Sequence, residues 1–351
     1  GITPSVWDEK AFEIEGIATS TTPIKGIDLA IISPGWKPTH PFIDSLREQG
    51  TEILSEIDYA WRVKNEVAPQ QKWISLTGTN GKTTTVQMVN SIFESSGILG
   101  IACGNVGDAV IDAVSAAQPY EYLALELSSF QIDWTREARF EASAILNIAE
   151  DHLDWHGSFD SYANAKMRLL DYSRMGILNA EDPEIMARSS SWNGKKVFYS
   201  LETPMAGELG LVENILVDRA FIADTTQAET LAELSDIKPT VPHNVSNALA
   251  AAGLARAIGV SHSDIRNGLA QFKVDHHRIE TVLTKDGITW VNDSKATNPH
   301  SAIASILSHE RVVWIAGGLA KGASMDQLVR RAKPRLASVI LIGTDAPAIE
   351  A

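Results

Sequence analysis

The chain has 351 residues, long for a single domain, and its 44% apolar and 21% charged residues describe a globular protein able to bury a sizeable core. A formal net charge of −14 argues against nucleic acid or an anionic membrane as the main partner, so any phosphate site must be built locally from loops, a metal ion and a few placed cations. The single cysteine, Cys103, excludes a disulfide framework, and no long apolar run or signal pattern is present, which together point to the cytoplasm.

In chain order, Leu29-Ala-Ile-Ile32 is a buried-type strand ending in a Ser33-Pro34-Gly35 turn. A helix is expected over about 41–50 and a short strand over 51–54, which is βαβ material. A turn at the carboxyl end of a strand is where open α/β sheets bind ligands, although it also reads simply as a strand ending. Residues 66–72, with Pro69 between polar side chains, read as a linker.

The most informative stretch follows. Trp73, Ile74 and Leu76 lead into Thr77-Gly78-Thr79-Asn80-Gly81-Lys82-Thr83-Thr84, and a helix with Val86, Val89, Ile92 and Phe93 on one face runs to its stop at Gly97. A strand, a glycine loop and a helix N-terminus together make an anion site, because backbone N–H groups and the helix dipole converge on one point. Gly78 and Gly81 let the backbone approach a phosphate, Lys82 reaches the β/γ-phosphates, and the Thr83 hydroxyl suits Mg²⁺. Leu76 stands where the general pattern has its first glycine, so the loop is a shortened variant, and ATP or GTP is the expected ligand.

A strand over about 120–127 ends in Glu126, followed by Leu127-Ser128-Ser129-Phe130-Gln131. A carboxylate in so apolar a strand is costly unless it meets a cation; a Mg²⁺ anchor and a salt bridge are both open. A strand over about 142–147 delivers Asn147-Ile-Ala-Glu150-Asp151-His152-Leu-Asp154-Trp-His156. This cluster is either a metal site or a solvated loop, and its spacing matches no standard zinc pattern. Lys166, on a helix beginning near Phe159, reads as surface charge. A strong helix opens with His243-Asn244-Val-Ser-Asn247; the two asparagines share a face and suit a nucleotide, while Asn244 alone suits a cap.

The last region opens with His276-His277-Arg278. Strands are expected over 288–291, 312–316 and 339–342, with helices near 299–308 and 325–333, which implies a parallel sheet. Asn292-Asp293-Ser294-Lys295-Ala296-Thr297-Asn298 and Gly317-Gly318-Leu-Ala-Lys321-Gly322 would then share its carboxyl edge, where Lys295 and Lys321 suit an anionic substrate.

Set together, the loop at 77–84, Glu126-Leu-Ser-Ser-Phe-Gln131, His243–Asn247, His277-Arg278, Asn292–Asn298 and Ala316–Gly322 resemble the Mur ligases of bacterial peptidoglycan synthesis, in order and along essentially the whole chain. The loop alone would also fit the folylpolyglutamate synthases; the stretches at 126–131 and 292–298 are more specific. The resemblance implies an α/β protein of three domains: 1–66 as part of a UDP-binding Rossmann-like domain, 67–274 as a central P-loop ATPase, and 275–351 as part of a Rossmann-like domain carrying D-glutamate. Both flanking domains are expected to be incomplete, since no strand with a glycine-serine-glycine loop precedes Gly1 and the family's last strands lie beyond 351.

The activity implied is ATP-dependent ligation of D-glutamate to UDP-N-acetylmuramoyl-L-alanine, through an acyl phosphate, by a monomeric enzyme with Mg²⁺ as cofactor. Gly78, Thr79, Asn80, Gly81, Lys82, Thr83 and Thr84 would hold the ATP phosphates, with Asn244, Asn247, Arg278 and Asp293 on the nucleotide. Thr83, Glu126, His152 and a carbamylated Lys166 would hold Mg²⁺, and Lys82, His152, Lys166 and Lys295 would serve catalysis. Ser33, Pro34, Gly35, Asn105 and Ser128 match the side of the UDP-linked substrate, and Thr297 and Lys321 the glutamate end. Two anions must meet in the first step, so Lys82 and Mg²⁺ have to offset their repulsion, and water must be excluded. Closure about hinges at 66–72 and about 272–278 is expected. The rival reading, a GTPase switch, lacks a guanine motif, for Thr284-Lys285-Asp286-Gly287 fails at its last position.

Overall fold

The computed structural model describes residues 3–10, 13–224, 226–274, 276–318, 324–344 and 346–350. In the first part β1 (Ser5–Trp7) pairs in parallel with β2 (Ala18–Ser20), and β3 (Leu29–Ile32) with β4 (Glu52–Ser55). Helix α1 (Pro41–Glu48) connects the latter pair and buries Ile43 and Leu46 in a small cluster with Ile32 and Trp134.

Helix α2 (Glu56–Val67) follows β4 without a loop, capped by the Ser55 hydroxyl, which accepts from the Asp58 amide. Its Ile57 and Ala60 enter the same apolar cluster as Trp73, Leu123 and Phe140, so residue 66 lies in the last turn of a helix built into the central core. The segment expected as a linker is shorter than 66–72 and is stitched down. Lys64 Nζ donates to Pro69 O (3.0 Å), Gln71 Nε2 to Tyr120 O (3.2 Å) and the Lys72 amide to Glu121 O (2.9 Å).

Asp58, 1% exposed, accepts from the backbone amides of Arg136, Glu137 and Ala138 at 2.8, 2.9 and 3.0 Å. Replacing Asp58 by alanine leaves three amides without their acceptor, so Asp58→Ala is expected to lose about 3 kcal/mol in urea unfolding. A loss under about 1 kcal/mol would mean that water takes over these amides.

The centre is a nine-stranded sheet in the order β13-β12-β11-β10-β9-β8-β5-β7-β6. In chain order its strands are β5 (Lys72–Thr77), β6 (Gly100–Gly104), β7 (Tyr122–Glu126), β8 (Ser143–Ile145), β9 (Met175–Asn179), β10 (Lys195–Tyr199), β11 (Glu208–Val212), β12 (Ile215–Asp218) and β13 (Glu229–Glu233). Pairing is parallel from β6 across to β11, and β12 is antiparallel to both its neighbours. Helices α3 (Lys82–Ser96), α4 (Val110–Val114), α5 (Ser129–Trp134), α6 (Leu153–His156), α7 (Phe159–Met167) and α8 (Pro183–Ser189) fall between the strands, and α9 (Pro242–Ala257) and α10 (His262–Gln271) follow them. As its spacing predicts, α3 buries Val86, Val89, Ile92 and Phe93 and ends at Gly97, which takes the left-handed conformation (φ 71°). Alanine-rich α9 is buried on nearly every side, as a helix without a polar face must be.

The last region departs from the expected parallel sheet. The strand β15 (Ile288–Asn292) pairs antiparallel with β14 (Glu280–Lys285). The reason is local: Asp286 (φ 53°) and Gly287 (φ 76°) form a two-residue turn, and an Asp-Gly pair with both φ positive is a hairpin signal. Beyond α11 (Pro299–Leu307), β16 (Val312–Gly317) and β17 (Leu336–Ile342) do pair in parallel, around α12 (Asp326–Ala332), and α13 (Pro347–Glu350) follows. Since the hairpin and the β16–β17 pair are separate sheets, Lys295 does not share an edge with the β16 turn. Lys321 lies outside the described residues. No helix among the described residues is long and apolar enough to cross a membrane.

Candidate active site

Strand β5 lies between β7 and β8, so the loop that leaves its carboxyl end has Glu126 on one side and Asn147 on the other. The ladder extends past the strand ends: the Leu127 amide donates to Leu76 O, and the Thr79 amide to Asn147 O, both at 2.9 Å. Asn147 clasps the loop twice more, accepting from the Asn80 amide (2.8 Å) and donating to Asn80 O (3.0 Å). The Thr79 hydroxyl accepts from the Ala149 amide (2.9 Å) and bonds the Tyr162 hydroxyl (2.9 Å). Gly81 (φ 82°) starts α3, and a Cβ there would collide with Asn247 Oδ1.

Lys82 is partly buried and folds over its own loop, donating to Gly78 O and Thr79 O at 2.9 Å each. Burial lowers its pKa, with Glu126 and Asp151 opposing. Lys166 corrects the surface reading outright. It is 2% exposed, its Nζ donates to Gly78 O at 2.8 Å, and it lies over the Tyr162 ring. Two lysines thus share one carbonyl oxygen, and burial, then the Lys82 charge, drives the Lys166 pKa well below the ordinary lysine value. Of the pair, Lys166 is the one whose surroundings favour the uncharged amine more strongly.

Glu126, 2% exposed, accepts from Asn105 Nδ2 through Oε1 (2.9 Å), while Oε2 has no hydrogen-bond partner among the described residues. The carboxylate is in no salt bridge among the described residues. A buried, half-satisfied carboxylate oxygen beside the loop fits Mg²⁺, whose remaining ligands would be phosphate oxygens, water and Thr83. Among the described residues no three His, Cys, Asp or Glu side chains gather as a ready-made metal site. His152 sits at positive φ (51°) with its ring edge-on to Phe130, and burial lowers its pKa. His156, one turn on, bonds Ser129 Oγ (2.9 Å) and burial brings its pKa down to about 4.

The Ser33-Pro34-Gly35 turn comes against this cluster. Trp155 Nε1 donates to Gly35 O (3.0 Å), Trp134 Nε1 to Trp36 O (2.8 Å) and Lys37 Nζ to Asp154 O (2.8 Å). Ser128 is the N-cap of α5, with Gln131 closing a capping box and reaching Glu56 Oε1 (2.7 Å).

On the other side of the loop is a cavity of about 590 Å³, of a size for a nucleotide. Asn80, Gly81, Thr84, Asn244, Asn247, Arg278, Asp293 and Lys295 line it. Asn244, 3% exposed, is not the cap of α9; Val241 is, and Asn244 Nδ2 donates to Pro239 O (3.0 Å). Arg278 Nε is buried with no hydrogen-bond partner among the described residues, which fits a nucleotide oxygen. Asp293 Oδ1 accepts from the Ile279 amide (3.1 Å). Thr297 is exposed and lies outside the cavity lining. The lining also includes Asn147, His243, His300, Ser301 and Arg331, which had no assigned role; only Asn147, directly after a strand, carried a usable signal.

The profile of the Mur ligase middle domain matches residues 76–255, and that of the Mur ligase glutamate ligase domain matches 277–351. This chain belongs to the Mur ligases. It is 47% identical over 331 residues to the UDP-N-acetylmuramoylalanine--D-glutamate ligase of Thermobifida fusca, covering 93% of this chain and 70% of the relative. To the enzyme of the same name from Streptomyces coelicolor it is 45% identical, covering 92% and 70%. Among solved structures this Mur ligase superposes on MurF from Acinetobacter baumannii with a TM-score of 0.65 at 19% identity, over 92% of this chain and 78% of that one. MurF of Thermotoga maritima in complex with ADP gives 0.59 at 17%, over 92% and 86%. At such identities these two likenesses speak for the Mur ligase fold alone.

Proposed function

We infer that this Mur ligase joins D-glutamate to UDP-N-acetylmuramoyl-L-alanine at the expense of ATP, the reaction named in its relatives. The observation that carries the chemistry is the phosphate loop set between Glu126 and Asn147, with Lys82 and Lys166 on one loop carbonyl. The L-alanine carboxylate attacks the γ-phosphorus, ADP leaves, and an acyl phosphate results. The amine of D-glutamate then adds to the acyl carbon, and phosphate departs as the amide forms. Lys82 and the amides of the first turn of α3 stabilise the charge that gathers when carboxylate and phosphate meet. When bound, Mg²⁺ supplies further charge neutralisation, held by Thr83, Glu126, His152 and carbamylated Lys166.

A neutral, buried amine is what carbamylation needs. The Lys166 Nζ lone pair adds to the carbon of CO₂, the amine proton passes to solvent, and an anion replaces a base. We assign ATP to the cavity, with Asn244, Asn247, Arg278 and Asp293 on the nucleotide. Residues 33–35, Asn105 and Ser128 would face the UDP-linked substrate, and Lys295, Thr297 and Lys321 the glutamate. In the same reading 1–66, 67–274 and 275–351 serve as the UDP-binding, ATPase and glutamate-bearing parts.

The test is phosphate release with all substrates. It is expected only when ATP, UDP-N-acetylmuramoyl-L-alanine and D-glutamate are present together. Equal rates with L-glutamate, or release without the UDP-linked substrate, would overturn the assignment.

A further inference from the structure

Asn80, in the middle of the phosphate loop, is held from two directions. Its backbone is clasped by Asn147, from the central sheet. Its side chain belongs to the other end of the chain: Asn80 Oδ1 accepts from Asn298 Nδ2 at 2.7 Å and from Ser301 Oγ at 2.6 Å. Asn298 is the N-cap of α11, and its own Oδ1 accepts from the Ser301 amide at 2.9 Å. One oxygen of the nucleotide loop is therefore gripped by the first turn of a helix from the glutamate ligase part, 218 and 221 residues away. Asn80 and Ser301 also line the cavity, together with Arg278, Asp293 and Lys295.

We propose that Asn298 and Ser301 are positioning residues that latch the glutamate ligase part onto the phosphate loop through Asn80, so that turnover depends on this docking. The ligand set of the loop is complete without the latch, since Asn147 and Thr79 already fix the backbone. What the latch adds is a bond that forms only when α11 lies against the loop. A single hydrogen bond of ordinary strength is enough to move such a docking equilibrium by up to about tenfold. The proposal rests on the ligase reading above, and its test separates the two.

Asn298→Ser keeps a helix cap but is too short to reach Asn80, and Ser301→Ala removes the second donor, whereas Ser301→Thr keeps a hydroxyl. In the full chain, Asn298→Ser and Ser301→Ala are expected to lower kcat for D-glutamate-dependent phosphate release about tenfold each. Ser301→Thr should stay within about threefold of the parent. The melting temperature should not move. Hydrogen exchange over residues 74–85 should quicken in the first two variants and not in the third. Unchanged kcat and exchange would overturn the latch. A parent protein without glutamate-dependent turnover would overturn the ligase reading, and exchange alone would then decide the latch.

Discussion

Lys82→Ala is expected to abolish phosphate release, by at least about 10³-fold at saturating substrates, while the melting temperature falls by no more than a few degrees, on the order of a surface substitution. The asymmetry follows from where the ammonium sits. It makes no apolar contact that the fold needs, and its two acceptors, Gly78 O and Thr79 O, border a loop that Asn147 and Thr79 already hold. In the reaction, however, a carboxylate must approach a triphosphate, and no other cation lies within the loop itself. The pH dependence has a definite sign. Burial lowers the Lys82 pKa in the ligand-free protein, so its proton is lost at a lower pH than from an exposed lysine, and the alkaline fall in kcat/KM for ATP should begin correspondingly early. Lys82→Arg keeps the charge through high pH but not the point geometry, and should flatten that limb at a much reduced rate. A Lys82→Ala protein with near-parental turnover would remove the loop from the chemistry.

The second large effect concerns Lys166. Lys166→Ala should lower turnover by about 10²-fold or more, and the parent should lose activity when CO₂ is stripped and regain it on adding bicarbonate. The substituted protein should ignore bicarbonate altogether. Burial and the neighbouring Lys82 both favour the uncharged amine, so rescue should occur at a lower pH than for an exposed lysine. A parent protein indifferent to CO₂ would leave Lys166 as a buried hydrogen-bond donor to Gly78 O and nothing more.

How far the sequence reaches can be seen residue by residue. The loop, its flanking strand and helix, the Gly97 stop and the apolar face of α3 are local patterns, and the structure has them where the spacing puts them. Glu126 was legible because a carboxylate in an apolar strand demands a partner, and the unmatched Oε2 is that demand in atomic form. Lys166 was not legible from periodicity: its burial depends on α7 lying across the loop, with Tyr162 and Ala163 turned to the same core. The hairpin at 280–292 departs from the sequence reading, which has a strand only at 288–291 and places it in a parallel sheet, although Asp286-Gly287 announces the turn. The pairing of Asn80 with Asn298 has no local trace at all, since nothing near either residue specifies the other.

The direct run from β4 into α2 has a mechanical consequence. Ser55 ends a strand of the first part and caps a helix of the central core, and Asp58 pins that helix to three amides. Freedom to pivot at the front of the molecule is thereby spent. Any swing must come from the far joint, where His277 (φ 71°) and Ile279 (φ 47°) hold the backbone in a conformation that branched side chains resist. In the proposed reading the molecule is a vice with one fixed jaw: the residues before 67 are the anvil, and those beyond 279 do the travelling.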